Sequence, residues 1–344
     1  MRLSRLLTGI VAVTTTLALT ACGGSSDTDE TPAASGNATT FPLTITHALG
    51  TTTIEKKPER VATVNWANHE VPLALGIVPV GYAKANFGDE DGDGLLPWDA
   101  AKLKELGAST PVLFDETDGI DFEAVANTKP DVILAAYSGL TQQDYDTLTK
   151  IAPVVAYPQA PWATSWRDSI KLESQALGLA AEGDALIAKI EKQMKDEAAR
   201  YPKLAGKSVM FLTHLDSTDL SKISFYTTHD TRAQFFTDLG MKHPESIAKA
   251  SATTKEFSLT QSAEQVQNLS DVDIIVTYGD AEGKTLATLQ KDPLLSKIPA
   301  IKRGSFVSLP DSTPVATAAN PTPLAVSFVL KDYVELLAAA ADKI

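Results

Sequence analysis

The chain has 344 residues, 44% hydrophobic and 21% charged, which is ordinary for a globular protein and long enough for two domains with separate cores. Its net charge of −13 argues against nucleic acid or an anionic lipid surface as partner, since both call for a basic face. The single cysteine, Cys22, excludes an internal disulfide.

In chain order, Arg2 and Arg5 precede an uncharged run from Leu6 to Leu19, and then Leu19-Thr20-Ala21-Cys22. This is the layout of a secretory leader over residues 1–21, with an apolar run too short for a transmembrane helix. Leu-Thr-Ala-Cys resembles the bacterial lipobox, whose cysteine takes a diacylglycerol and becomes the mature N-terminus. Two acyl chains suffice to anchor a protein stably. Residues 22–40 lack large apolar side chains and read as a disordered tether with a reach of roughly 25 Å. The expected setting is extracytoplasmic, at a membrane, with no nucleic acid partner.

Phe41–Ile54 alternates apolar and polar residues around Gly50-Thr51, which predicts a hairpin. Strands are expected at Arg60–Trp66, Val78–Tyr82, Asp131–Tyr137 and Val154–Tyr157, and helices at His69–Leu75, Phe122–Asn127 and Gln142–Ile151. The loop Phe114–Asp121 separates two of them. Alternating strands and helices imply a parallel sheet covered on both faces. Residues 41–163 are thus expected to form an N-terminal α/β lobe.

Thr164–Gly178 predicts the central helix. Ser165 and Asp168 have capping-box spacing, and Gly178 is a natural stop. Trp166, Ile170, Leu172, Ala176, Leu177 and Leu179 cover about half its circumference, wide enough to touch two bodies. Lacking internal glycine or proline, it suits a stiff spacer. Glu173 falls inside the apolar half near Trp166, which places both, as an expectation, against the ligand cavity.

The alternation then resumes in a C-terminal lobe, residues 179–344. It comprises a helix at Ala181–Tyr201, the strand Ser208–Leu212, a helix at Thr231–Leu239, the strand Val272–Tyr278, a helix at Leu286–Gln290, the strand Ser305–Leu309 and a last helix at Pro323–Ala340. Lys129–Tyr137 and Asp271–Tyr278 share an acidic turn, an apolar strand and a terminal tyrosine, in keeping with two similar lobes. Ligands of open α/β sheets bind beyond the carboxyl ends of the strands. That rule gathers Trp66, Tyr82, Tyr137 and Tyr278 at one crevice.

Two apparent motifs weaken on inspection. Gly279–Thr285 has three residues between its glycines where a phosphate-binding P-loop needs four, so a polar turn is expected. Asp89–Gly94 opens like an EF-hand loop, but Ala100 occupies the place of the bidentate glutamate. The five histidines, His47, His69, His214, His229 and His243, show no metal-ligand spacing, and no hydrolase motif occurs. Neither a metal site nor a cofactor is expected. Aromatic residues remain as ligand walls, namely Trp66, Trp98, Tyr137, Trp162, Tyr226 and Tyr278, with Lys84 and Arg232 as the candidate cations.

From Ile54 to Tyr333 the chain resembles the ferric-siderophore-binding lipoproteins of bacterial ABC importers. Pro58–Ala62, Glu70–Ile77 followed by Pro79-Val80-Gly81, Lys129–Ile133, Leu148–Val155 and Thr231–Gly240 carry the resemblance. It implies an α/β fold of two Rossmann-like lobes with mainly parallel sheets joined by one long helix, acting as a monomeric receptor rather than an enzyme. It also implies that Glu70 and Glu245 dock on two permease subunits. A chelate that already fills the iron shell needs aromatic walls and a few donors, and the modest number of cations favours a hydroxamate. Haem or cobalamin capture is the alternative within binding proteins, and a secreted α/β enzyme the alternative of another class.

Overall fold

The computed structural model describes residues 40–344, so the expected leader, Cys22 and nearly all of the expected tether lie outside the described residues. The first half contains β1 (Leu43–His47), β2 (Gly50–Ile54), β3 (Val61–Thr63), α1 (Glu70–Ala74), β4 (Gly81–Ala83), α2 (Pro97–Glu105), β5 (Val112–Phe114), α3 (Phe122–Asn127), β6 (Val132–Ala135), α4 (Gln142–Leu148) and β7 (Val154–Ala156). Two helices follow, α5 (Trp166–Ala176) and α6 (Ala180–Ala198). The remainder contains β8 (Val209–Phe211), β9 (Lys222–Tyr226), α7 (Thr231–Asp238), α8 (Glu245–Ser251), β10 (Ser258–Ser262), β11 (Ile274–Gly279), α9 (Lys284–Lys291), α10 (Pro299–Arg303), β12 (Phe306–Pro310), α11 (Pro314–Thr317) and α12 (Ala325–Ala341).

Strands β3 to β7 form one parallel sheet in the order β5-β4-β3-β6-β7. Every residue of β3, β6 and β7 is buried, which explains why they read as unbroken apolar runs. The strand order reverses direction between β3 and β6, and such a switch point opens a crevice at the carboxyl ends of its two strands. After α6 comes a second parallel sheet, β12-β11-β8. Beside it β9 and β10 pair antiparallel, tied to β8 by the bridge between Leu212 and Phe225.

The resemblance between the two halves has a physical basis. Asp131, ahead of β6, accepts from the backbone N–H of Glu59 and Arg60 at 3.0 and 2.9 Å. Asp273, ahead of β11, accepts from the N–H of Ser208 at 2.9 Å. In each half the acidic turn clamps the start of a neighbouring strand.

Helix α5 forms close to its expected span, with Ser165 capping the N–H of Asp168. Its residues divide between two hydrophobic clusters. Trp166 and Ile170 pack with core residues of the second sheet, whereas Ala176 and Leu177 pack with Val61, Val132 and Val155 of the first. Gly178, at φ +71°, then turns the chain into the longer α6. A side chain at Gly183 would strike Ser174, so the glycine lets the two helices approach closely. Trp166 and Glu173 do not line the aromatic cavity described below. They border a separate void of about 20 Å³, roughly the room for one water.

The sequence reading passed over α2, β5, β9, β10, α8, α10 and α11. Phe114, expected to begin a loop, ends β5. The P-loop-like turn is a polar turn: the Asp280 carboxylate accepts from the N–H groups of Glu282, Lys284 and Thr285 and caps α9. Asp89 likewise folds its loop around the N–H groups of Gly92 and Gly94. Among the described residues no helix is long and apolar enough to cross a membrane.

Candidate ligand-binding site

The loop after β3 carries the first wall. Asn65 and Ala67, on either side of Trp66, have φ near +60°, as does Trp162. Such backbone is uncommon outside glycine and persists only where surroundings enforce it. The enforcing bonds are present. Asn65 donates to Glu116 from both its backbone N–H and its amide at 3.0 Å, and its amide oxygen accepts from Gly139 N–H. Asn68 donates to the carbonyls of Val64 and Tyr137 and accepts from Tyr137 N–H. The carboxyl ends of β3 and β6 are therefore held as one unit, with Trp66 and Tyr137 projecting from it.

These residues line a cavity of about 330 Å³. Trp66, Tyr137 and Trp162 come from the first half, with Tyr137 and Trp162 meeting edge to face at 5.4 Å. His214, Tyr226, Phe257 and Tyr278 face them from the second half. His214 stacks on Tyr278 with ring centroids 4.4 Å apart.

The charge in this cavity is concentrated in one pair, the partly exposed Arg232 and the buried Asp230. Arg232, in the first turn of α7, donates to Asp230 at 2.8 Å and to the Tyr278 hydroxyl at 3.0 Å. Its guanidinium carbon lies 4.3 Å from the centroid of Tyr226. Burial opposes its charge, but Asp230 and the surrounding tyrosines more than offset this and hold its pKa above the ordinary arginine value. Below them Asn320 donates to the Tyr137 hydroxyl at 3.2 Å and accepts from the Thr231 hydroxyl. That thread joins residues from both halves at the cavity floor.

Trp66, Tyr137, Trp162, Tyr226, Arg232 and Tyr278 thus come together as the sequence suggested. Two candidates do not. Trp98 is buried in α2, where its indole N–H donates to Glu70 at 2.8 Å, so it packs the core. Lys84 forms an ion pair with Asp115 at 2.6 Å and lies outside the aromatic cavity. Phe87, His214, Phe257, Asp230 and Asn320 were missed. His214 was within reach of the strand-end rule, since it follows β8 as Tyr278 closes β11. Phe257 precedes β10, which carried no legible turn signal.

The docking glutamates also separate. Glu245 is exposed at the start of α8, paired with Lys249 at 2.7 Å. Glu70 is 0% exposed: its carboxylate accepts from Trp98 and from the backbone N–H groups of Leu324 and Ala325. A partner protein cannot reach it, and the surface role expected for Glu70 is corrected to a buried anchor between α1, α2 and the start of α12. Burial and the nearby Asp99 push its pKa up to about 7, against the pull of His69.

A second cavity, of about 220 Å³, adjoins the first, and Trp66 and Trp162 line both. His69, Tyr82, Lys84, Asp99 and Glu116, with Asn65 and Asn86, supply its polar lining. His69 and Asp99 share a hydrogen bond of 2.9 Å, and His69 stacks on Tyr82. Ligand atoms of His69, Glu70 and Asp99 come within 4.8 Å of one another. The Glu70 oxygens, however, are already engaged by N–H donors.

With this geometry in view, the comparisons with known proteins are consistent. The periplasmic binding protein family model matches residues 61–313, and the chain belongs to that family. PiaA of Streptococcus pneumoniae TIGR4, solved in complex with ferrichrome, is 49% identical. The match covers 87% of this chain and 99% of PiaA, with a TM-score of 0.83. The probable siderophore-binding lipoprotein YfiY of Bacillus subtilis is 28% identical over 76% of this chain and 74% of its own length. The Fe(3+) dicitrate-binding periplasmic protein FecB of Escherichia coli is 24% identical over 79% of this chain and 84% of its own length.

Proposed function

We propose that the protein is the extracytoplasmic receptor of an ABC importer, that it captures a ferric siderophore in the aromatic cavity, and that it does so without catalysis. The observation that carries this reading is the pairing of aromatic walls with a single Arg232–Asp230 ion pair. Trp66, Trp162, Tyr226 and Phe257 offer apolar area to a chelate, and Arg232 and Tyr278 offer donors to its oxygens. Of the lining side chains that could ligate iron, Asp230 is occupied by Arg232, the hydroxyls of Tyr278 and Tyr137 accept from Arg232 and Asn320, and burial keeps the Tyr226 phenol protonated, which leaves His214. Iron therefore suits this cavity as cargo within a chelate. One cationic side chain in the lining fits a neutral hydroxamate complex better than a trianionic catecholate, and the likeness to ferrichrome-bound PiaA supports the same preference.

Attachment through a diacylglycerol on Cys22 would keep the receptor beside its permease. The exposed Glu245 remains the candidate docking residue. Glu245→Ala should leave ligand affinity unchanged while lowering uptake in cells, and unchanged uptake overturns that role.

Titrating the tryptophan fluorescence of the soluble body with ferrichrome, a ferric tris-catecholate, haem and cobalamin tests the main reading. Saturable quenching, strongest with ferrichrome, is expected. Absence of a response to any ferric siderophore, with tight binding of haem or cobalamin, overturns it.

A further inference from the structure

The second cavity is a polar chamber whose hydrogen-bonding capacity is left open. Asp99 Oδ1, Tyr82 OH, His69 Nδ1, Glu116 Oε1 and Trp66 Nε1 all lack partners and are shielded from solvent, and all five residues line this one cavity. Asp99 and Tyr82 are each 1% exposed. Buried polar atoms are ordinarily satisfied, and five orphans on residues that line one cavity mark a place built for something polar. The sign of the charge narrows the choice. Of the two cationic side chains in the lining, Lys84 is committed to Asp115 and His69 to Asp99. Glu116 has no cationic partner among the described residues. Its Oε2 accepts from Asn65 and its Oε1 is buried without a partner. The unpartnered oxygens of Asp99, Glu116 and Tyr82 outnumber the one fixed donor, the Trp66 indole N–H, and call for a donor-rich cation; an alkylammonium carries three N–H donors.

We propose that this chamber is a specificity compartment of the ligand site, taking an alkylammonium arm of a ferric hydroxamate whose chelate body rests in the adjoining aromatic cavity, with Glu116 as the principal counter-ion. The inference rests on the siderophore reading given above and adds a substrate class to it. Trp66 and Trp162 stand between the two cavities, so an arm leaving the chelate passes along indole faces, which suit an alkyl stem and its cationic head. Burial raises the pKa of Glu116, and a cation at its unpartnered oxygen would relieve that penalty.

The test uses three ferric chelates with one hydroxamate core: ferrioxamine B with a free ammonium, its N-acetyl derivative without charge, and its N-succinyl derivative with a carboxylate. Ferrichrome, which has no such arm, is the reference. The ammonium form should bind about tenfold tighter than the acetyl form, and the succinyl form weakest. Glu116→Gln keeps an amide oxygen to accept from Asn65 and should erase the preference among the three forms, with ferrichrome losing less affinity than the ammonium form and a cooperative melt showing that the variant folds. Equal affinities for the three forms, or an equal loss for all ligands in Glu116→Gln, overturn the compartment while the siderophore reading stands. Failure of all four chelates to bind overturns both.

Discussion

Arg232 lies over the ring of Tyr226, with its guanidinium carbon 4.3 Å from the centroid, while its Nε donates to the hydroxyl of Tyr278. One cation is thereby held by two aromatic side chains and balanced by the buried Asp230. Replacing it by glutamine would remove the charge and leave the buried Asp230 without its cationic partner, with the backbone N–H of residue 232 as its remaining donor. Arg232→Gln is expected to lower stability by about 3 kcal/mol, read by denaturant titration, and to weaken ferric-chelate binding at least tenfold. Asp230→Asn in the same chain should recover much of the stability and none of the affinity. Recovery of both would mean that Arg232 serves the fold alone.

Trp98 and Trp162 give opposite expectations. Trp162 faces both cavities, so Trp162→Ala should abolish most ligand-induced quenching and weaken affinity sharply. Trp98→Phe loses an indole donor to Glu70 and should reduce stability by about 2 kcal/mol with affinity intact. Fluorescence titration and thermal melting of the two variants check both outcomes. A Trp98 variant with impaired binding would return that residue to the ligand wall.

Gly139 supports Trp162 from behind. A methyl group there would lie 2.5 to 2.7 Å from atoms of the indole, closer than side chains tolerate. Gly139→Ala should displace Trp162 and weaken binding about tenfold, although it adds no atom to the ligand surface, with stability changed by less than about 1 kcal/mol. Unchanged affinity would show that the indole can shift without consequence.

Glu173 governs a pH dependence. It is fully buried, neither carboxylate oxygen has a side-chain partner, and burial lifts its pKa well above the ordinary 4.5. The folded protein then keeps a proton that the unfolded chain releases, so this contribution is complete below about pH 4.5 and is lost as pH rises through the folded value. Glu70, at about 7, has the same sign. Glu173→Gln cannot ionise. Its melting temperature should exceed that of the parent at pH 8, and the gap should narrow at pH 5. A gap independent of pH would mean that Glu173 finds a compensating group.

Much of this was legible in the chain, and the reasons are local. The runs around Val61 and Val132 are apolar throughout because those strands are covered on both faces. The strand-end rule found Trp66, Tyr137 and Tyr278 because a parallel sheet aims its carboxyl ends at one crevice. What escaped depends on distant contacts. Strands β9 and β10 pair across 31 intervening residues that include α7 and α8, so no turn announces them. Helix α2 had signals, Pro97 at its start and Lys102 and Lys104 in its last turn, but it follows directly on an acidic loop. Glu70 looked like a surface residue because nothing near it in sequence reveals that the start of α12, some 254 positions away, donates to its carboxylate.

The bond from Asn320 to Tyr137, continued to Thr231, has a consequence for affinity. It fastens the cavity floor through the chain's own side chains, so part of the ordering of the aromatic walls is supplied by the fold itself. Recognition then draws on preorganisation. Weakening the floor, as in Asn320→Ala, would loosen the grip on the cargo through entropy, with every wall residue still in its place in the sequence.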